Sequence, residues 1–135
     1  MYFQPGVGHH ENFDRALKMF PDTNFVVHAD FVRSYIGDLM ADNSNVYYTF
    51  NDIFDEVIPM FRFGDKQDFI DAMERDWYQL LDHALIHYED LINTYPDRFM
   101  WGTDRADIGQ LLVKFGRDFI GRFDPAIQEQ IGHLN

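Results

Sequence analysis

Cysteine is absent from this chain of 135 residues, which excludes a disulfide framework, thiolate metal ligation and a cysteine nucleophile. Any metal must therefore rest on the six histidines and the carboxylates. Basic residues are scarce as well: 11 Lys and Arg stand against 23 Asp and Glu, a formal net charge of -12. Such a chain repels phosphate backbones and anionic lipid at long range, so neither nucleic-acid binding nor attachment to a membrane surface is expected. No apolar run approaches the roughly 18 residues that a membrane-spanning helix needs. The N-terminus, Met1-Tyr2-Phe3-Gln4-Pro5-Gly6, lacks the basic and apolar regions of a secretory signal, so a cytoplasmic location is the expectation. Two nucleophile and phosphate signatures are also missing. Gly6-Val7-Gly8 has neither the third glycine nor the Lys and Ser/Thr of a phosphate loop, and Ser34 and Ser44 stand in no Gly-x-Ser-x-Gly context.

Hydrophobic material, in contrast, is plentiful. With 46% apolar and 17% aromatic residues, 14 of them Phe, the chain can build its own core as a single domain over residues 1–135. Tyr2-Phe3-Gln4 reads as a strand stub stopped by Pro5-Gly6. Phe13, Ala16, Leu17 and Phe20 recur at helical spacing, and Pro21-Asp22 ends that helix. Phe25-Val26-Val27-His28-Ala29 predicts a strand covered on both faces. A helix over 31–40 follows, then a strand over Val46-Tyr47-Tyr48-Thr49-Phe50 and a short helical stretch over 52–60. The longest periodic segment predicts one helix over about 67–94, with Phe69, Met73, Trp77, Leu81, Ala84, Tyr88, Leu91 and Tyr95 on its apolar side. Pro96-Asp97 terminates it. Arg98-Phe99-Met100-Trp101 reads as a further strand, and helices are expected over 108–120 and 125–134.

Strands that alternate with helices predict parallel β-α units, because a parallel pair needs a long crossover that a helix supplies. In such folds chemistry gathers at the C-terminal ends of the strands. Gln4, His28, Phe50-Asn51-Asp52 and Asp104 fall there in the sequence.

Three phrases in order carry a family resemblance: Phe20-Pro21-Asp22-Thr23-Asn24-Phe25-Val26-Val27-His28, then Asn45-Val46-Tyr47-Tyr48, then Tyr95-Pro96-Asp97-Arg98-Phe99-Met100-Trp101-Gly102-Thr103-Asp104. Together they resemble the C-terminal half of amidohydrolase-superfamily (β/α)8 barrels, in the branch of aminocarboxymuconate-semialdehyde decarboxylase-like lyases and related hydrolases. The closing Gly116-Arg117 to Ile131-Gly132-His133-Leu134-Asn135 looks like that family's last helices. The resemblance implies an α/β fold of about half a TIM barrel, a fragment of a longer one. It also implies a metal-dependent hydrolase or decarboxylase acting on a small carboxylated or cyclic substrate. His28 takes the place of the family's strand-six histidine and Asp104 that of its strand-eight aspartate, which implies a divalent metal, zinc or manganese, held by imidazole and carboxylate. His28 is then a ligand or proton-handling partner and Asp104 a ligand and general base. His9 and His10 are further potential ligands, and Arg105 is placed to meet a substrate carboxylate. The family's His-x-His of strand one has no counterpart here, and Gln4-Pro5 replaces its strand-five His-Pro. Only two of the usual ligands remain, where zinc takes three or four.

Each residue also has a plainer reading. His28 fits a hydrogen-bonded core histidine, Asp104 a helix cap or turn carboxylate, His9-His10 an exposed loop pair and Arg105 a surface salt bridge. His83 and His87, four apart, have a spacing at which two imidazoles can share one metal, but they lie on a stripe with Asp76, Gln79 and Asp90 that reads as the solvated edge of the long helix. A half-barrel exposes its inward side chains and two strand edges. A homodimer, or a partner supplying the missing N-terminal half, is therefore expected. The rival to an enzyme is a non-catalytic remnant or interaction module that pairs through that open face.

Overall fold

A computed structural model describes residues 2–3, 10–27, 33–49, 65–102 and 108–133. The described chain is α/β. In sequence order the elements are β1 (Tyr2–Phe3), α1 (His10–Met19), β2 (Phe25–Val27), α2 (Arg33–Asp42), β3 (Val46–Thr49), α3 (Lys66–Arg75) and α4 (Trp77–Thr94). A 3-10 turn (Pro96–Arg98) leads into β4 (Phe99–Met100), α5 (Gly109–Ile120) and α6 (Pro125–His133). The helical stretch expected over 52–60 lies outside the described residues. Among the described residues no helix is long and apolar enough to cross a membrane.

The four described strands are parallel and lie in the order in which the chain makes them, β1-β2-β3-β4. Val26 pairs with Tyr47, Val27 with Tyr48, and Tyr48 with Phe99. Side chains alternate across this sheet. Phe25, Val27, Val46, Tyr48 and Phe99 point to one face and are buried, whereas Val26, Tyr47, Thr49 and Met100 on the other face are half-buried. The expectation that β2 is covered on both faces is therefore corrected: among the described residues only one face carries the core. Helices supply the cover there. Phe13 of α1 meets Phe25 edge-on at 6.0 Å, and Tyr48 packs against Tyr88 of α4 and Phe99 of β4. Ile36 and Met40 of α2 and Phe115 and Phe119 of α5 join the same cluster.

The single helix expected over about 67–94 is two. Asp76 leaves helical geometry at φ -106, ψ 19, although its N–H still donates to the Ala72 carbonyl and its carbonyl still accepts from Leu80. The apolar stripe explains the break. Phe69, Met73, Trp77 and Leu81 are successive steps of four, and at 3.6 residues per turn each step drifts about 40° around the helix. Three steps would carry Leu81 well off the core face, and the interruption lets all four be buried. At the far end Ile92 is buried, while Leu91 and Tyr95 are half-buried. Asp65 caps α3, its Oδ1 accepting from the Asp68 N–H at 2.9 Å. Tyr95 and the 3-10 turn end α4 where proline disfavours continuation.

Two polar residues lock this scaffold. Asn45, at the start of β3, is 6% exposed, and its Nδ2 donates to the carbonyls of Phe20 at 3.1 Å and Thr23 at 3.0 Å, with Leu17 at 3.4 Å. It ties the end of α1 and the turn after it to the sheet. Arg98 reaches from the 3-10 turn to the Asn43 carbonyl at 2.8 Å while lying over the Tyr95 ring. On the other side of the core, Gly116 of α5 has no room for a side chain, because a Cβ there would overlap the indole of Trp101.

Asn45→Asp keeps the shape but presents only acceptors to three carbonyls, so urea unfolding should show a loss of about 1–3 kcal/mol or more. Gly116→Ala forces the Trp101 ring to move, and a loss of about 1–3 kcal/mol with altered tryptophan emission is expected. Unchanged stability would show that the α5–Trp101 contact is not close-packed.

Candidate functional site

Parallel strands put all four C-terminal ends on one edge of the sheet, and that edge is the part of the scaffold from which a site is built. Its described residues are Phe3, Val27, Thr49, Met100, Trp101 and Gly102. The Thr49 hydroxyl donates to the Val27 carbonyl at 3.4 Å, linking the ends of β2 and β3. The next residue in sequence after Val27 is His28, and Asp104 follows Met100 by four positions. His28, Asp104, Arg105 and His9 lie outside the described residues, as do Gln4, Phe50, Asn51 and Asp52. His10 opens α1, and its side chain is likewise outside them. The structure thus describes the frame beneath the expected site. Among the described residues no three His, Asp or Glu side chains converge in a way that could hold a metal ion.

Several groupings of polar side chains are described on and between the helices. On α4 the Nε2 atoms of His83 and His87 approach to 2.9 Å, with ring centres 4.6 Å apart and planes inclined by 49°. His83 is exposed and His87 half-buried. The spacing signalled their shared face; the convergence of the two rings is additional. Near the start of α4, Trp77 Nε1 donates to Asp118 Oδ2 at 3.2 Å, and the Lys114 ammonium lies 3.8 Å over the Trp77 ring. Lys114 also stands 3.8 Å from Asp118. This cluster seals the contact of α4 with α5, and Trp77 meets Phe115 edge-on at 5.2 Å. At the α3–α4 break, Arg75 binds the Asp76 carboxylate through two hydrogen bonds, of 2.6 and 3.0 Å. That pairing holds the Asp76 carboxyl below its usual range. On α2, burial and the nearby Asp14 charge raise the Tyr35 hydroxyl.

A cavity of about 620 Å³ opens between α3 and the start of α5, lined by Lys66, Ile70, Ile108, Gln110 and Lys114 among others. A second, of about 390 Å³ and mainly apolar, lies between α5 and α6 beside Trp101, Val113 and Ile131. Neither is lined by the described ends of β1, β2 or β3.

No known protein family, curated protein or solved structure matches the chain.

Proposed function

We propose that this chain is about half of a (β/α)8 barrel of the amidohydrolase type. Its chemistry, in this reading, is metal-dependent hydrolysis or decarboxylation of a small carboxylated or cyclic substrate. One observation carries the barrel part of the reading: the four described strands follow chain order without reversal, and the described helices cover one face only. A doubly wound sheet reverses its strand order and covers both faces. A barrel proceeds one way round and keeps its second face for the interior.

Fold alone assigns no chemistry; that part rests on the phrases ending at His28 and Asp104. Imidazole and carboxylate are the donor types that zinc and manganese accept, and His9 and His10 add donors of the same class. A divalent ion held by these residues would supply Lewis-acid chemistry, polarising a carbonyl or bound water. Asp104 would be its ligand and general base, His28 a ligand or proton-handling partner, and Arg105 would meet a substrate carboxylate through paired N–H donors. The test is metal content by plasma mass spectrometry after dialysis against dilute zinc and manganese. Near-stoichiometric metal that both His28→Ala and Asp104→Ala abolish is expected, and metal retained by both variants would overturn the assignment.

The half-buried sheet face favours a second reading, a non-catalytic module that pairs with a second copy of itself. Closing a filled barrel takes about eight strands, twice the number described here. Val26, Tyr47 and Met100 lie outside the buried cluster and are half-buried, so a second copy seated on this face would complete their burial. Sedimentation equilibrium should then give a dimer that Tyr47→Lys dissociates, and a monodisperse wild-type monomer excludes this pairing.

A further inference from the structure

We propose that His83 and His87 chelate a divalent ion that accepts nitrogen donors at right angles, Ni2+ or Cu2+, on the outer face of α4. Residues four apart on a helix are neighbours on one face, which is how two histidines of a helix come to share one metal. Spacing alone is a weak argument, and the ring geometry is a stronger one. A ring nitrogen lies about 1.1 Å from its ring centre, and a metal–imidazole bond is about 2.05 Å long. An ion binding two imidazoles at 90° therefore sets their nitrogens about 2.9 Å apart and their ring centres about 4.5 Å apart. Tetrahedral binding would set them about 3.3 Å and about 5.1 Å apart. The observed separations are 2.9 Å and 4.6 Å.

A direct hydrogen bond between the rings explains the first distance less completely. A straight N–H···N contact of that length puts the ring centres about 5.1 Å apart, since each ring adds its own radius along the line. The observed ring centres, 4.6 Å apart, are closer than a straight contact sets them. In the absence of an ion the contact requires one Nε2–H to donate and the other Nε2 to accept, so ion binding replaces that hydrogen bond and moves the donor ring's proton to Nδ1.

The choice of ion rests on the two separations, which match right-angle donors. Right-angle donors belong to octahedral or tetragonal sites, which suit Ni2+ and Cu2+, whereas Zn2+ in protein sites is tetrahedral. No third His, Asp or Glu converges on the pair among the described residues, so the remaining positions stay open to water. The chain's net charge of -12 raises the local concentration of any cation. This site shares no residue with the one proposed around His28 and Asp104, and repeating its test in a His28→Ala, Asp104→Ala background keeps the two readings distinguishable.

Titration calorimetry with NiCl2 at about pH 8, where free imidazole is a neutral ligand, compares the full chain with His83→Ala and His87→Ala. Disturbing even the supporting partner of a metal ligand costs 10- to 100-fold in affinity, so each single variant should bind Ni2+ at least about tenfold more weakly. Because the chelate staples two successive turns of α4, Ni2+ should also raise the Tm of the wild type and of neither variant. Circular dichroism checks that both variants remain folded. If either variant keeps wild-type affinity and the wild-type rise in Tm, the two rings do not share an ion and the proposal is wrong.

Discussion

Tyr48 is the side chain through which the sheet and the helices become one core. It lies on β3, pairs in register with Phe99, and its ring touches both Phe99 and Tyr88 of α4. Tyr88 in turn meets Phe119 of α5 edge-on. That all these contacts lie on one face is a consequence of strand order. A parallel connection to the neighbouring strand is right-handed almost without exception. When every step moves in the same direction, each crossover helix falls on the same side. The order β1-β2-β3-β4 therefore fixes the one-sided architecture before any individual contact is considered.

One-sided cover makes the helices carry the whole burden of excluding water, and their details reflect it. The α3–α4 interruption at Asp76 keeps Phe69, Met73, Trp77 and Leu81 turned inward. Trp77 packs against Phe115 of α5, and its indole N–H finds Asp118, where an unpaired buried donor would cost about 1–3 kcal/mol. Lys114 then covers the ring face with its charge still near Asp118. The small residue Gly116 lets α5 approach Trp101 directly. Bulk and its absence are placed in complementary positions along a single helix.

Much of this architecture was legible in the sequence, and the misses have a common cause. The Pro-Asp pairs at 21–22 and 96–97 stop helices for a local steric reason, and both predicted ends agree with the structure within a residue or two. Element type follows from period, so β2, β3 and β4 and the helices around them were readable. The partial burial of the second sheet face was not, because Val26 and Val27 carry the same side chain and nothing in the pair says which of them meets a helix. The difference between them is set by what the rest of the chain puts on each side of the sheet. The break at Asp76 was hidden for a similar reason. Steps of four read as helical, and their drift becomes visible only when the whole stripe must face one core. His28 and Asp104 rest on phrases resembling a family, not on any local pattern that separates a ligand from a strand-end hydrogen-bonding group. His83 and His87 were legible as a shared polar face, but the angle between their rings is a property of side-chain conformation.

The half-buried sheet face also sets a balance between attraction and repulsion. Two copies of a chain carrying -12 repel one another at a distance, and at physiological salt that repulsion decays over about 8 Å. Val26, Tyr47, Thr49 and Met100, the half-buried residues of the face, are all uncharged. Among the described residues the charges lie on helices and turns, so their repulsion acts there and not between these four side chains. Burial of apolar surface acts only at contact and stabilises by about 25 cal/mol per Å². Added salt weakens the first effect without weakening the second. A face-to-face assembly of this chain is accordingly one that rising ionic strength favours, the reverse of what a contact built on ion pairs would do.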